Sequence, residues 1–249
     1  MLGSYNNKNL LIEEGETFGG VFNSWRLKRA EKLTSIFGLE WFKGKKILEM
    51  GCGYGNFGLY LESLGSKVHF SDARAEVLDK VKSKNPDAVT FVIDQEENWS
   101  LEEHYDLIIH IGILYNLNYW EKDLDSVLKY CDYVVLESAV HKFNNANEYK
   151  IVNYAYSHEF HGPARQIGTL TSSLNIEKNI GKNNFTFVRY DDKDLDLFDP
   201  GPILYSWLEA CDENAPKYGI IDSWWNNPFC EGRRRFWVLS KNKWRGHCE

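Results

Sequence analysis

The sequence predicts an α/β fold built on a mostly parallel sheet. Three observations carry that reading. Between residues 45 and 140, short apolar runs alternate with helical patterns, which implies successive strand–helix–strand units. The first of these runs ends in a glycine cluster that leads directly into a helix. At 249 residues, 43% hydrophobic and 26% charged, the chain can bury a sizeable core as one elaborated domain.

The elements follow in order. Residues 1–20 are polar and glycine-punctuated and read as an arm. Residues 21–37 place Phe22, Trp25, Ala30, Leu33 and Phe37 at helical spacing. A strand over 45–50 precedes the glycine turn, and a helix over 56–64 stops at Gly65. Strand 67–71, helix 74–84, strand 89–93, strand 106–111, helix 119–130 and strand 132–137 complete the alternating part. Beyond residue 140 the pattern loosens. Residues 141–165 are polar, and 166–176 read as a helix. Two late strands are expected at 185–190 and 234–240, separated by about forty residues rich in Asp, Pro, Gly and Trp. A loop of that length is usually functional. We therefore divide one domain of 1–249 into an N-terminal helical arm (1–44), a core (45–140) and late strands with insertions (141–249).

Composition narrows the function. Lys plus Arg is 29 and Asp plus Glu is 36, a net charge of −7. That balance disfavours a nucleic-acid partner, which needs a basic face. Five cysteines with no CxxC pair argue against a disulfide framework or a zinc knuckle. The N-terminus carries no basic segment followed by an apolar run, and no stretch approaches the ~18–20 apolar residues of a membrane span. A cytoplasmic location without a membrane span is expected.

The sharpest signal is Ile47-Leu48-Glu49-Met50-Gly51-Cys52-Gly53-Tyr54-Gly55-Asn56-Phe57-Gly58. Glycines at 51, 53, 55 and 58 let the backbone turn tightly and let a ligand approach the main chain. The helix behind them offers free N–H groups. Asp72 ends the next strand, 21 residues after Gly51, where a carboxylate can accept from ribose hydroxyls. These features alone admit NAD as well as other nucleotides.

The segment Glu49-x-Gly51-Cys52-Gly53-x-Gly55 resembles the first motif of class I S-adenosylmethionine-dependent methyltransferases. Asp72, Asp94 in Phe-Val-Ile-Asp, and the segment Tyr105-Asp106-Leu107-Ile108-Ile109-His110-Ile111-Gly112-Ile113-Leu114-Tyr115-Asn116-Leu117 match in order. The strand-four segment is similar to that of many small-molecule and sugar methyltransferases, although Asn116 stands where His is frequent. Through the segments 42–65 (FKGKKILEMGCGYGNFGLYLESLG) and 232–241 (GRRRFWVLSK), the whole chain resembles the sugar O-methyltransferases of glycan-building pathways, including those of large algal DNA viruses. The resemblance implies a Rossmann-like class I methyltransferase fold, with a mostly parallel seven-stranded sheet and helices on both faces. It implies S-adenosylmethionine as cofactor. Gly51, Gly53 and Gly55 would lie under its amino-acid part, and Asp72 would hold the ribose. Asp94, with Gln95 beside it, would approach the adenine. Glu49 would act through the loop or the ammonium group, and His110 would stand beside the cofactor. An NAD-dependent oxidoreductase and a non-catalytic nucleotide-binding scaffold are the alternatives. The runner-up within the same chemistry is methylation of another small molecule or of a tRNA base.

Methyl transfer to a sugar hydroxyl requires a placed acceptor and a route for its proton. His158, His161 and Glu137 are the candidate bases, with His110 and His141 also near strand ends. No acidic pair follows strand four, so no metal is expected. Asp191, Asp192, Asp194 and Asp196 read as a solvated loop. For the acceptor, a sugar or glycan, the candidate contacts are Tyr115, Arg165, Trp224, Trp225 and Arg233. Aromatic faces suit sugar C–H surfaces, and the arginines 233–235 equally suit a phosphate or diphosphate. Trp224 and Trp225 have a second reading as an apolar plug.

Overall fold

In a computed structural model the described residues are 7–15, 19–140, 149–153, 167–190, 193–196 and 234–242. A seven-stranded sheet forms their centre. Its strands are β1 (Lys46–Met50), β2 (Lys67–Asp72), β3 (Val89–Val92), β4 (Tyr105–Ile111), β5 (Cys131–Ala139), β8 (Thr186–Tyr190) and β9 (Arg234–Ser240). The spatial order is β3-β2-β1-β4-β5-β9-β8. Strands β1 to β5 are mutually parallel, and β9 runs antiparallel to both β5 and β8. The order reverses between β1 and β4. In open sheets of this kind, ligands bind in the crevice outside the carboxyl ends of the strands at that reversal.

Both faces of the sheet are covered. Because side chains alternate along a strand, successive residues of the central strands feed two separate cores. Ile47, Leu107, Ile109, Val135, Phe236 and Val238 pack with α1 (Val21–Phe37), α2 (Asn56–Ser63) and α3 (Ala75–Lys84). Leu48, Ile108, Val134, Leu136, Trp237 and Leu239 pack with α4 (Trp120–Val127) and α5 (Ser173–Lys182). Burying each large apolar side chain contributes about 1.5–3 kcal/mol. The near-continuous apolar runs of β1, β4 and β5 are those of strands enclosed on both sides.

The reading of 166–176 as one helix is corrected. Ile167–Thr171 is a strand, β7, pairing antiparallel with β6 (Tyr149–Asn153) in a separate two-stranded sheet. The helix begins only at Ser173, where the Ser172 side chain accepts the Asn175 N–H and caps it. Gly168 explains the strand's position. A Cβ there would sit 2.4 Å from the Tyr115 carbonyl oxygen, so β7 lies directly against the turn after β4. The acidic run is corrected in part. Asp194 is exposed, but Asp196 is buried, and its carbonyl accepts from Lys28 of α1. Residues 191 and 192 lie outside the described residues. No described helix is long and apolar enough to cross a membrane.

Candidate active site

The glycine turn begins at the carboxyl end of β1. Gly51, Gly53 and Gly55 have φ of 57°, 53° and 72°, the left-handed region. At Gly51 the turn also needs the missing side chain, because a Cβ would stand 2.8 Å from the Ile113 side chain. The turn is fastened to β2 by the Cys52 N–H donating to the Ser71 carbonyl at 2.9 Å. Asp72, which is buried, sits where β2 ends. Its Oδ2 accepts the Gly53 N–H at 3.2 Å and its Oδ1 accepts the Arg74 N–H at 3.2 Å. Burial pushes the Cys52 thiol well above its ordinary value, which keeps it protonated and inert.

Glu49 lies under the turn. Its Oε2 accepts the Gly58 N–H at 2.9 Å, inside the first turn of α2. Gly58 is required there, since a Cβ would meet Phe70 Cε1 at 2.4 Å and Glu49 Oε2 at 2.5 Å. Burial pushes the Glu49 carboxyl up to about 8, against the pull of the Gly58 N–H and Arg26. Residues 7–15 cross behind this region. Asn56, the first residue of α2, donates to the Leu10 and Ile12 carbonyls, and Arg26 donates to the Leu11 carbonyl.

The opposite wall comes from the loop after β3 and the turn after β4. Asp94 Oδ1 accepts the Glu96 N–H at 3.0 Å. The buried Glu96 carboxylate then accepts the Asn118 N–H at 2.6 Å and the Tyr119 N–H at 3.4 Å, joining the two segments. His110 has no exposed surface. Its Nε2 lies 2.8 Å from Asp123 Oδ2, and Asp123 Oδ1 accepts the Trp99 Nε1–H at 3.1 Å. His110 Nδ1 and Gln95 Nε2 are both buried with no hydrogen-bond partner.

A third group gathers at the carboxyl ends of β4 and β5. Glu137 is fully buried between two arginines. Arg29 Nη2 of α1 stands 2.6 Å from its Oε2, and Arg234 Nη1 of β9 donates to Oε1 at 3.0 Å. Arg234 Nη2 also donates to the Tyr115 hydroxyl at 3.1 Å. The Trp25 ring lies against both guanidinium groups, with its centroid 2.9 Å from Arg29 Cζ and 4.7 Å from Arg234 Cζ. Glu137, a candidate base in the sequence, has both carboxylate oxygens engaged by guanidinium groups and is an ion-pair hub joining α1, β5 and β9.

The described residues thus bring Glu49, Gly51, Gly53, Gly55 and Asp72 together around the turn. Asp94, Gln95 and His110 belong to the neighbouring wall, and Tyr115 stands beside the ion-pair hub. His158, His161, Arg165, Trp224, Trp225 and Arg233 lie outside the described residues, as does His141. Sequence reasoning missed Arg29, Glu96 and Asp123, and it gave Arg234 only as part of the arginine run 233–235, without its carboxylate partner. Asp123 left one readable signal, a carboxylate on the buried stripe of α4 beside Trp120, Leu124 and Val127.

The arrangement fits a nucleoside carrying an amino-acid tail. The turn offers main chain without side chains, the Asp72 carboxylate stands against it, and His110 Nδ1 and Gln95 Nε2 are buried without a hydrogen-bond partner. Among the described residues no cluster of His, Cys, Asp and Glu could hold a metal ion.

Comparison with known proteins agrees with this geometry. Residues 22–190 match a family model described as a methyltransferase domain. A histidine protein methyltransferase 1 homolog of Bos taurus is 28% identical, the match covering 41% of this chain and 39% of that protein. The chain thus spans about two fifths of that curated relative. Among solved structures, the N-terminal domain of EvdMO1, obtained in the presence of SAH and D-fucose, superimposes with a TM-score of 0.58 at 12% identity. That match covers 94% of this chain and 93% of the other. An S-adenosylmethionine-dependent methyltransferase of Listeria monocytogenes, itself given as putative, reaches 0.56 at 13% identity over 87% of this chain and 99% of its own. Magnesium protoporphyrin IX methyltransferase of Synechocystis with bound SAH reaches 0.54 at 14% identity, covering 96% of each chain. At such identities these likenesses are of fold.

Proposed function

As the chain belongs to the methyltransferase domain family, we propose that it methylates a sugar hydroxyl of a glycan or glycan precursor. It is an S-adenosylmethionine-dependent methyltransferase with a Rossmann-like fold. The observation that carries the cofactor end is the Asp72 carboxylate closing on the Gly53 N–H beside a side-chain-free turn. The cofactor, when bound, supplies an activated methyl group on a sulfonium. In this reading Gly51, Gly53 and Gly55 receive its amino-acid part with Glu49 beneath them. Asp72 holds the ribose, and Asp94, Gln95 and His110 flank the adenine.

The acceptor end follows the strand-four resemblance. Tyr115, half-buried beside Arg234, is offered to the acceptor, together with Arg165, Trp224, Trp225 and Arg233. His158, His161 and Glu137 are the candidate bases, Glu137 being already engaged in ion pairs with Arg29 and Arg234. The same resemblance suggests a viral glycan pathway. A second reading, transfer to a protein side chain, is favoured by the Bos taurus relative, a histidine protein methyltransferase homolog.

The test is incubation with isotopically methyl-labelled S-adenosylmethionine and three acceptor panels, with and without EDTA, read by mass spectrometry. The panels are glycans, including fucosylated ones, histidine-containing peptides and tRNA. Labelled glycan in both buffers supports the proposal. Label only in peptide or tRNA replaces the acceptor class, and loss of label with EDTA replaces the metal-free route.

A further inference from the structure

We infer that residues 7–15 form a strap whose docking beside the glycine turn is coupled to cofactor binding, each stabilising the other. This rests on the S-adenosylmethionine reading above and goes beyond it by giving a role to a segment that reading does not use.

The strap is held by polar side chains rather than by a sheet. It opens with a single 3-10 turn, Lys8–Leu11. Four successive carbonyls, those of Leu10, Leu11, Ile12 and Glu13, then accept from side chains of α1 and α2. Asn56 Nδ2 donates to Leu10 at 2.9 Å and to Ile12 at 3.2 Å. Arg26 Nε donates to Leu11 at 2.8 Å. Asn23 closes on Glu13 twice, its Nδ2 donating to the carbonyl at 3.1 Å and its Oδ1 accepting the N–H at 2.9 Å. Within the strap only Leu11 is buried, in the core it shares with Phe57 and Tyr60 of α2. One buried side chain does not offset the conformational entropy of ordering a segment of this length. The hydrogen bonds to α1 and α2 therefore decide whether the strap is docked, and such segments open well before the whole fold does.

The same side chains hold the turn. Asn56 directly follows Gly55, and its Oδ1 accepts from Lys84 Nζ at 3.1 Å. Lys84, the last residue of α3, also donates to the Tyr54 carbonyl at 3.1 Å, between Gly53 and Gly55, and pairs with the Glu13 carboxylate. An ammonium has three protons. Here one goes to the turn, one to the helix behind it and one to the strap. Undocking strips Asn56 of two carbonyls and Lys84 of its carboxylate. The turn they frame contains three glycines in the left-handed region, and glycine loses more freedom on ordering than any other residue. A turn released from the strap must surrender that freedom when a ligand seats on it, whereas a docked turn has already done so. Ligand and strap thus favour the same ordered turn, and by linkage each favours the other equally.

The experiment is hydrogen–deuterium exchange of the full chain, with and without saturating S-adenosylhomocysteine, joined to calorimetry with the same ligand. Exchange in the peptide 8–14, which contains the Glu13 amide held by Asn23, should slow about tenfold on binding. The peptide over β8, at the far edge of the sheet, should be unchanged. Leu11→Ala and Glu13→Ala, both in the strap, should speed exchange of 8–14 and weaken S-adenosylhomocysteine binding about fivefold or more. The wild-type exchange measurement stands even where a variant does not fold. Three results overturn the inference while leaving the cofactor reading intact. They are exchange of 8–14 that changes less than about twofold at saturation, slowing shared equally by β8, and folded variants that bind as tightly as wild type. Failure of S-adenosylhomocysteine to bind overturns the reading and the inference with it.

Discussion

Glu137 and Arg234 form a buried ion pair across the antiparallel seam between β5 and β9, with Arg29 of α1 closing on the same carboxylate. The pair joins the helix that precedes the sheet to the strand that completes it. Removing one member strands the other charges without water. Glu137→Ala should therefore destabilise the protein by about 3–5 kcal/mol, measured by urea unfolding. S-adenosylhomocysteine affinity in the folded fraction should stay within a few-fold of wild type. A stable Glu137→Ala variant that had lost turnover alone would return the residue to a catalytic role.

Asp72 serves the cofactor site differently. Its two oxygens accept backbone N–H groups and face the ribose position in the proposed reading. Asp72→Ala should weaken S-adenosylhomocysteine binding by roughly 1.5–3 kcal/mol, the value of hydrogen bonds to a charged group. Isothermal calorimetry on a variant with an unchanged circular dichroism spectrum checks this. Unchanged affinity would reduce Asp72 to a loop clasp.

Gly58 is a packing requirement with no freedom to give. Its missing Cβ is the space occupied by Phe70 and the Glu49 carboxylate. Gly58→Ala should cost about 1–3 kcal/mol of stability through overpacking, although alanine is the better helix former. A melting temperature at or above wild type would mean that the two neighbours can withdraw freely.

Glu49 predicts a pH dependence with a definite sign. Its folded carboxyl titrates near 8, above the ordinary 4.5. The folded state thus holds this proton more tightly than the unfolded chain. The resulting stabilisation is fully present below pH 4.5 and is lost as pH rises toward 8. The slope approaches about 1.4 kcal/mol per pH unit within that window. Glu49→Gln keeps an oxygen for the Gly58 N–H and removes the titration. Thermal melts of the wild type should fall between pH 5 and 8, and those of the variant should be flatter. Parallel curves would show that another group dominates.

Much of the fold was legible because its signals are local. The glycines from 51 to 58 lie within one turn of a strand and a helix, and the runs of β1, β4 and β5 are short, apolar and bounded. The strand Ile167–Thr171 was missed because its partner, β6, sits in a polar stretch, and because Gly168 is placed by the Tyr115 carbonyl rather than by its neighbours in sequence. The site was legible on its cofactor side for the same local reason. Arg234 and Glu137 are 97 residues apart, and nothing in either segment announces the other. The sequence showed a carboxylate at a strand end, and only the packing of α1 and β9 shows that it is already engaged.

The position of β9 bears on how the molecule assembles. Among the described residues, strand β8 pairs in the large sheet with β9 alone, and β9 itself is drawn from residues 234–240. During synthesis β5 must wait with an open edge while the intervening hundred or so residues emerge, and β8 waits with it. Contacts of such sequence separation form slowly. An open edge is meanwhile a template for pairing with another chain. Ribosome-bound chains ending before residue 234 should thus be the species most dependent on chaperones. Emergence of residues 234–240 should bring a late, concerted gain of protease resistance in β5, β8 and β9 together.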